Sequence, residues 1–346
     1  MSTVIDTLTI IYYFYKGSGK RNKEVQDLAE IMDEHFLKPE RANGTRWVEH
    51  KLKAVVKMIK NWKLIIMHLM SYAEDNTNRA EDRAKARGII TKIRQYKFIY
   101  FCHFVSDLLG EVAKISLLFQ REDINVSSAV TKLEAAHLSL NEMLNNNGTY
   151  LNDFDNDVVG DTFRDHTLLN LVPLASLNRE RRSIVQDILD CISSRFEDIY
   201  KDPVYVSCHV FDHKNWPDRN DGEALLEYGR KDVEVIWNHF NLLLTSCNAV
   251  LADALREWTE LKLYVTRNQH FRTVHPLAVW QRVSQEDVNR NDYLNIMSLI
   301  HLTSLYPLSN ASCERGFSNM KRIKSDWRCN LNTDTLDMLL RIDIEG

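Results

Sequence analysis

Eleven glycines and six prolines are all that interrupt 346 residues. Together they fill 17 positions, well under the roughly 12% usual for globular chains. These two residues are the main punctuation of a backbone: Gly permits positive φ, and Pro fixes φ and removes a donor. A chain this long with so few of them is driven towards long helices and away from a turn-rich β fold. The length allows one large domain or two ordinary ones, with a sizeable core.

Forty-four basic against 48 acidic side chains leave a formal charge of −4. No global attraction to nucleic acid or anionic membrane follows, so such binding would need a local patch. Cys102, Cys191, Cys208, Cys247, Cys313 and Cys329 form no CxxC pair. That spread predicts reduced, mostly buried thiols in an intracellular protein. The stretch VIDTLTIIYYFYK lacks a basic n-region and a small-residue cleavage site, which argues against a secretory signal. No apolar run reaches the roughly 18 residues of a membrane span, so no membrane partner is expected.

Apolar periodicity predicts helices over Val4–Tyr15, Glu24–Phe36, Val48–Met70, Ile89–Leu118, Val126–Leu144, Arg179–Tyr200, Glu223–Arg267 and Tyr293–Leu305. A last one is predicted over Thr333–Ile342. The firmest stripe is Leu52, Val55, Val56, Ile59, Trp62, Ile66 and Leu69. The turn-rich KDPVYVSCHVFDHKNWPDRNDG leaves room for a short strand. The expected picture is mainly α: a helical body over 1–277 and a smaller C-terminal module over 278–346.

Several stretches resemble chemical motifs but have plainer readings. GSGK at Gly17–Lys20 lacks the first Gly and the closing Ser or Thr of a phosphate loop, and reads as an interhelical turn. Asp153, Asp155 and Asp157 start like a calcium loop, but Val158 and Arg164 stand where Gly and Glu are needed. A solvated acidic loop is expected there. Cys208, His209, Asp212 and His213 have no second ligand pair at zinc spacing. The basic run Arg79, Arg83, Lys85, Arg87, Lys92, Arg94 and Lys97 also contains Glu81 and Asp82, so a solvated face is favoured over a phosphate track.

Two places hold more. Thr45-Arg46-Trp47 puts a flat ring beside a phosphate-pairing fork at a helix entry, suited to an unstacked base. The plain alternative is Thr45 capping a helix with Trp47 in the core. In SNASCERGFSNMKRIKSDWRC, Cys313, Phe317 and Met320 fall on one helical face, with Gly316 allowing close approach. Glu314 sits at the edge of that face, in a first turn where the helix dipole favours an acid. Composition leaves open whether it is catalytic.

LYPLSNASCERGFSNMKRIKSDWRCNLNTDTLDMLLRI resembles the C-terminal dimerisation region of hAT superfamily DNA transposases. The likeness runs through the small residues Ser309–Cys313, Glu314-Arg315, Phe317-Ser318, the basic Lys321–Lys324, Arg328 with Leu331, and the closing Leu336–Ile342. GTRWVEHKLKAVV resembles the superfamily's Thr-Arg-Trp segment, and DLLGEVAKISLLFQREDINVSSAVTKLEA its helical region. The resemblance implies a helical insertion-type body followed by the C-terminal helical part of an RNase H-like core, most core strands absent. It implies that Glu314 matches the third acid of an Asp-Asp-Glu metal triad. It implies DNA-binding roles for Arg46, Trp47 and Arg315. It implies association through Phe317, Met320, Leu336, Leu339 and Leu340.

In that family two Asp lie before a Cys-x-x-His motif upstream of Thr-Arg-Trp; here the 44 residues before Thr45 hold no Cys and only His35. One carboxylate cannot hold two Mg²⁺ ions. The expectation is a transposase-derived, non-catalytic, nuclear protein without a metal or other cofactor, Glu314 being idle. It would self-associate through its C-terminal module and retain some DNA affinity. Alternatives are a fragment of an active transposase performing Mg²⁺-dependent strand cleavage and transfer, and a helical scaffold without DNA binding.

Overall fold

The computed structural model describes residues 2–42, 47–121, 123–218, 220–286, 292–305, 311–324 and 330–345. Among them the protein is mainly helical, and its only sheet is a three-stranded meander of two-residue strands. The chain forms two compact units: Met1–Ser116 with Ala135–Ile192, and Leu117–Glu134 with Ser193–Gly346.

The first unit contains α1 (Ser2–Lys16), α2 (Gly19–Ile31), α3 (Trp47–Glu74), α4 (Ala80–Ile93) and most of α5 (Tyr96–Leu118). It takes the second half of α6 (Val126–Glu142), then α7 (Thr149–Asp157) and α8 (Leu174–Arg195) as far as Ile192. Helix α3 is its centre. Val55, Ile66 and Leu69 are buried as the stripe predicts, but so are Leu64 and Ile65. A helix apolar on more than one side belongs inside, not on a surface. Trp62 fills the middle: its Nε1–H donates to Ile93 O at 2.9 Å, and its ring meets Phe163 edge-on at 4.8 Å.

That bond marks where one expected helix becomes two. Periodicity alone reads Ile89–Leu118 as continuous; the chain instead stops at Ile93 and restarts at Tyr96. Between them Leu169 pairs with the backbone, donating to Arg94 O at 2.7 Å and accepting from Tyr96 N at 2.9 Å. Arg94 clamps the same segment by donating to Thr167 O. A long-range pairing thus overrides a good local pattern.

The strands also fall elsewhere than expected. The stretch after Lys201 forms short helices, α9 (Glu197–Lys201) and α10 (Pro203–Ser207), and two 3-10 turns, Cys208–Phe211 and His213–Asn215. The meander lies at β1 (Val158–Val159), β2 (Thr162–Phe163) and β3 (His166–Thr167), Phe163 facing both Val158 and His166. Its turns use positive φ at Gly160, Arg164 and Asp165, and Arg164 is held there by bonds to Ile59 O and Asp157. Helix α2 ends at Ile31 rather than Phe36 because Asp33 takes φ +54° and turns the chain.

His103 is buried on α5. Its Nδ1–H donates to Ile99 O at 2.8 Å, and its Nε2 has no partner among the described residues. Burial pulls its pKa down from 6.5 to about 4. Between those values the unfolded chain binds the proton and the folded one does not, so stability is present above pH 6.5 and lost as pH falls through 4. Urea titrations at pH 7 and 4.5 should differ by roughly 2–3 kcal/mol more in the wild type than in His103→Leu.

The second unit continues with α11 (Gly222–Glu227), α12 (Arg230–Ser246), α13 (Leu251–Arg267), a 3-10 turn Gln269–Thr273 and α14 (Pro276–Gln285). It closes with α15 (Leu294–Ser304), α16 (Ala311–Ile323) and α17 (Thr333–Glu345). Trp258 on α13 lies between Phe211 and Trp216, both edge-on, and Trp216 reaches Trp280. Each indole N–H is satisfied by a carbonyl: Trp258 by Tyr228, Trp216 by Val210, Trp280 by Phe211. The 277/278 boundary expected from the sequence falls inside α14, whose Val279, Trp280 and Val283 share this core with α12 and α13.

Helix α13 also buries two charges, and both finish other helices. The Glu257 carboxylate accepts the N–H groups of Asn295 and Ile296 at 2.8 and 2.9 Å, capping α15. The Lys262 ammonium donates to the Leu225, Leu226 and Tyr228 carbonyls at the C-terminal end of α11, and lies 5.3 Å from the Trp258 ring centre. Helix ends leave such groups without intrahelical partners, and charge at the matching pole of the dipole is favourable. Gly229, at φ +75°, keeps that turn tight; a Cβ there would stand 2.0 Å from Val210 Cγ2.

Candidate functional site

The C-terminal helix pair is where the sequence and the structure combine most directly. Helix α16 starts at Ala311, within the small-residue stretch Ser309–Cys313 of the sequence, and carries Phe317, Met320 and Ile323 at helical spacing. Helix α17 is capped by Asn332, whose Oδ1 accepts Thr335 N–H at 2.8 Å. The two helices pack on each other, and Arg322 pairs with Asp343 across them. Arg341 and Asp337 pair along α17 at 3.0 Å.

What distinguishes this pair is its exposure. No described side chain of either helix is buried. Met320, Leu336, Leu339 and Leu340 are half-buried, while Phe317 is 63% exposed, Met338 64% and Ile342 68%. On α17, Leu336, Leu339 and Leu340 share one face. Met338 stands about 200° round from Leu336, and Ile342 one turn further along that second face. The helix is thus apolar on two sides, one half-covered and one bare. Such a surface suits association rather than solvation.

Met338 and Ile342 were outside the set expected from the sequence; their signal is an apolar pair four residues apart, masked by the stronger leucine pattern. Gly316 allows no close approach here: a Cβ on it would meet no atom within 4 Å.

The expected chemical residues are more dispersed. Thr45 and Arg46 lie outside the described residues, as do the side chains of Trp47, Cys313, Glu314 and Arg315. The backbone of Trp47 opens α3, and Glu314 and Arg315 belong to the first half of α16. Among the described residues no group of three or more His, Cys, Asp or Glu is placed to hold a metal ion. A Mg²⁺ pair of the hAT kind needs several converging oxygens.

The other motifs take structural roles. Ser18 of GSGK caps α2 by accepting Arg21 N–H. Asp153, Asp155 and Asp157 lie on helix α7 rather than in a loop. Two-residue steps along a helix point them apart, and Asp155 and Asp157 bond Asn147 and Arg164. His209 and His213 face the carbonyls of Val206 and Phe271. In the basic run, Arg83, Lys85, Arg87, Arg94 and Lys97 all bond acceptors of their own chain. Cys102 and Cys208 are buried as expected, but Cys191 and Cys247 are exposed.

One array with a catalytic look escaped the sequence. The Tyr15 hydroxyl bonds His68 Nδ1 at 2.9 Å, and His68 Nε2 lies 3.3 Å from Glu24 Oε2. Burial pushes the Tyr15 pKa up and the His68 pKa down. Both side chains are enclosed in the first unit, so no substrate reaches the hydroxyl in this packing. The array ties α1, α2 and α3 together.

No described helix is long and apolar enough to cross a membrane. No protein-family model matches the chain, and no solved structure matches it.

Proposed function

We propose that this is a protein derived from an hAT transposase that no longer cuts DNA and that self-associates through α16 and α17. The observation that carries the reading is the exposure of Phe317, Met338 and Ile342 on a helix pair with no buried side chain among its described residues. The occupant is a second copy, because the segment resembles a dimerisation region. On this reading α16 and α17 are the helical remainder of an RNase H-like core and residues 1–277 correspond to the insertion region. Glu314 is then an idle third acid, and Arg46, Trp47 and Arg315 give residual DNA affinity in the nucleus.

Burying each of the three exposed anchors contributes about 1.5–3 kcal/mol. Association costs about 4–15 kcal/mol before any net affinity appears, so each anchor matters. Phe317→Glu, Met338→Glu and Ile342→Glu should each raise the dimer dissociation constant roughly ten-fold or more. Sedimentation measurements check this, with helical content by circular dichroism unchanged because the residues are exposed. A dissociation constant equal to the wild type's in all three variants would remove the proposed surface. Nicking of labelled terminal-repeat DNA with Mg²⁺, abolished by Glu314→Gln, would overturn the non-catalytic part.

A further inference from the structure

The second unit contains a pocket of about 280 Å³ beside the turn His213–Asn215 and the end of α13. Trp216, Pro217 and Val265 give it apolar walls, while Lys214 and Arg272 bring two cations to it. Among the described residues neither cationic head has an ion-pair partner. Asp218 also lines the pocket, but its Oδ1 is engaged by Asn220 N–H at 2.8 Å.

His213 adds an independent observation. Its Nε2 faces the Phe271 carbonyl at 2.8 Å, and a carbonyl only accepts. Nε2 therefore carries the proton, and Nδ1 is left as an acceptor with no partner among the described residues. Burial lowers the His213 pKa, so the ring adds no charge at neutral pH. A buried acceptor without a donor is costly.

We propose that this pocket binds a small hydroxylated phosphate monoester. Arg272 offers a planar fork to the phosphate oxygens and Lys214 a point charge. Two cations suit a phosphate dianion better than a carboxylate. A ligand hydroxyl supplies the donor that Nδ1 lacks, once the ring turns slightly towards the pocket. The volume lies just below the roughly 300–1,000 Å³ of drug-sized sites, which selects a small molecule over a nucleotide or a polymer strand.

The test is calorimetric titration of the full chain with glycerol 3-phosphate, inorganic phosphate and a single-stranded oligonucleotide. Lys214→Ala, Arg272→Ala and the control Arg256→Ala are compared with the wild type; all three side chains are exposed, so the fold is retained. The ester should bind more tightly than inorganic phosphate. Each pocket variant should weaken it about ten-fold or more, and Arg256→Ala should leave it unchanged. Absence of ester binding, or binding indifferent to Lys214 and Arg272, would overturn the site. So would inorganic phosphate binding as tightly as the ester, or binding of the oligonucleotide alone.

Discussion

Replacing Lys262 with methionine should lower the stability of the second unit by about 3 kcal/mol. Lys262 is 0% exposed, and its ammonium closes the turn after α11 by donating to three carbonyls. Burial pulls its pKa down to about 8, which still leaves it charged at neutral pH. Methionine fills similar volume, so the cavity contribution is small. The loss comes from the Leu225 and Leu226 carbonyls, each orphaned at about 1–3 kcal/mol. Relief of the buried charge's desolvation offsets part of it. The Tyr228 carbonyl keeps the Trp258 indole. Urea unfolding measures the difference; an unchanged midpoint would mean that the turn is not held by the ammonium.

The first unit should respond as strongly to Trp62→Ala, by about 3–5 kcal/mol. The side chain is enclosed, packs edge-on against Phe163 and holds the Ile93 carbonyl at the end of α4. Trp62→Phe separates the contributions. It keeps most of the ring and loses the hydrogen bond, so it should cost about 1–2 kcal/mol. Equal losses in the two variants would show that volume contributes little at this position.

These two residues mark the limits of what the chain discloses on reading. Trp62 was legible: it falls on the stripe of α3, and scarce Gly and Pro already demanded long helices. Lys262 and Glu257 were not. On an amphipathic helix a lysine and a glutamate read as solvated, and only the ends of distant helices turn them into buried caps. The break at Arg94–Gln95 was hidden for the same reason, since Leu169 arrives from more than 70 residues away in sequence. The meander rests on positive φ at Arg164 and Asp165, which no periodicity reports.

The candidate surface was partly legible. Phe317 and Met320 stood out by spacing, and the leucines of α17 by composition. That the leucine face is half-covered while Met338 and Ile342 are bare depends on the neighbouring helix. The residues that carried the chemical expectation, Arg46, Glu314 and Arg315, have their side chains outside the described residues.

Self-association is the central claim, and light scattering of the wild-type chain at micromolar concentration tests it most directly. The account predicts a mass near twice the 40.5 kDa of one chain, falling towards the single-chain value on dilution. A mass of one chain at every concentration would contradict it.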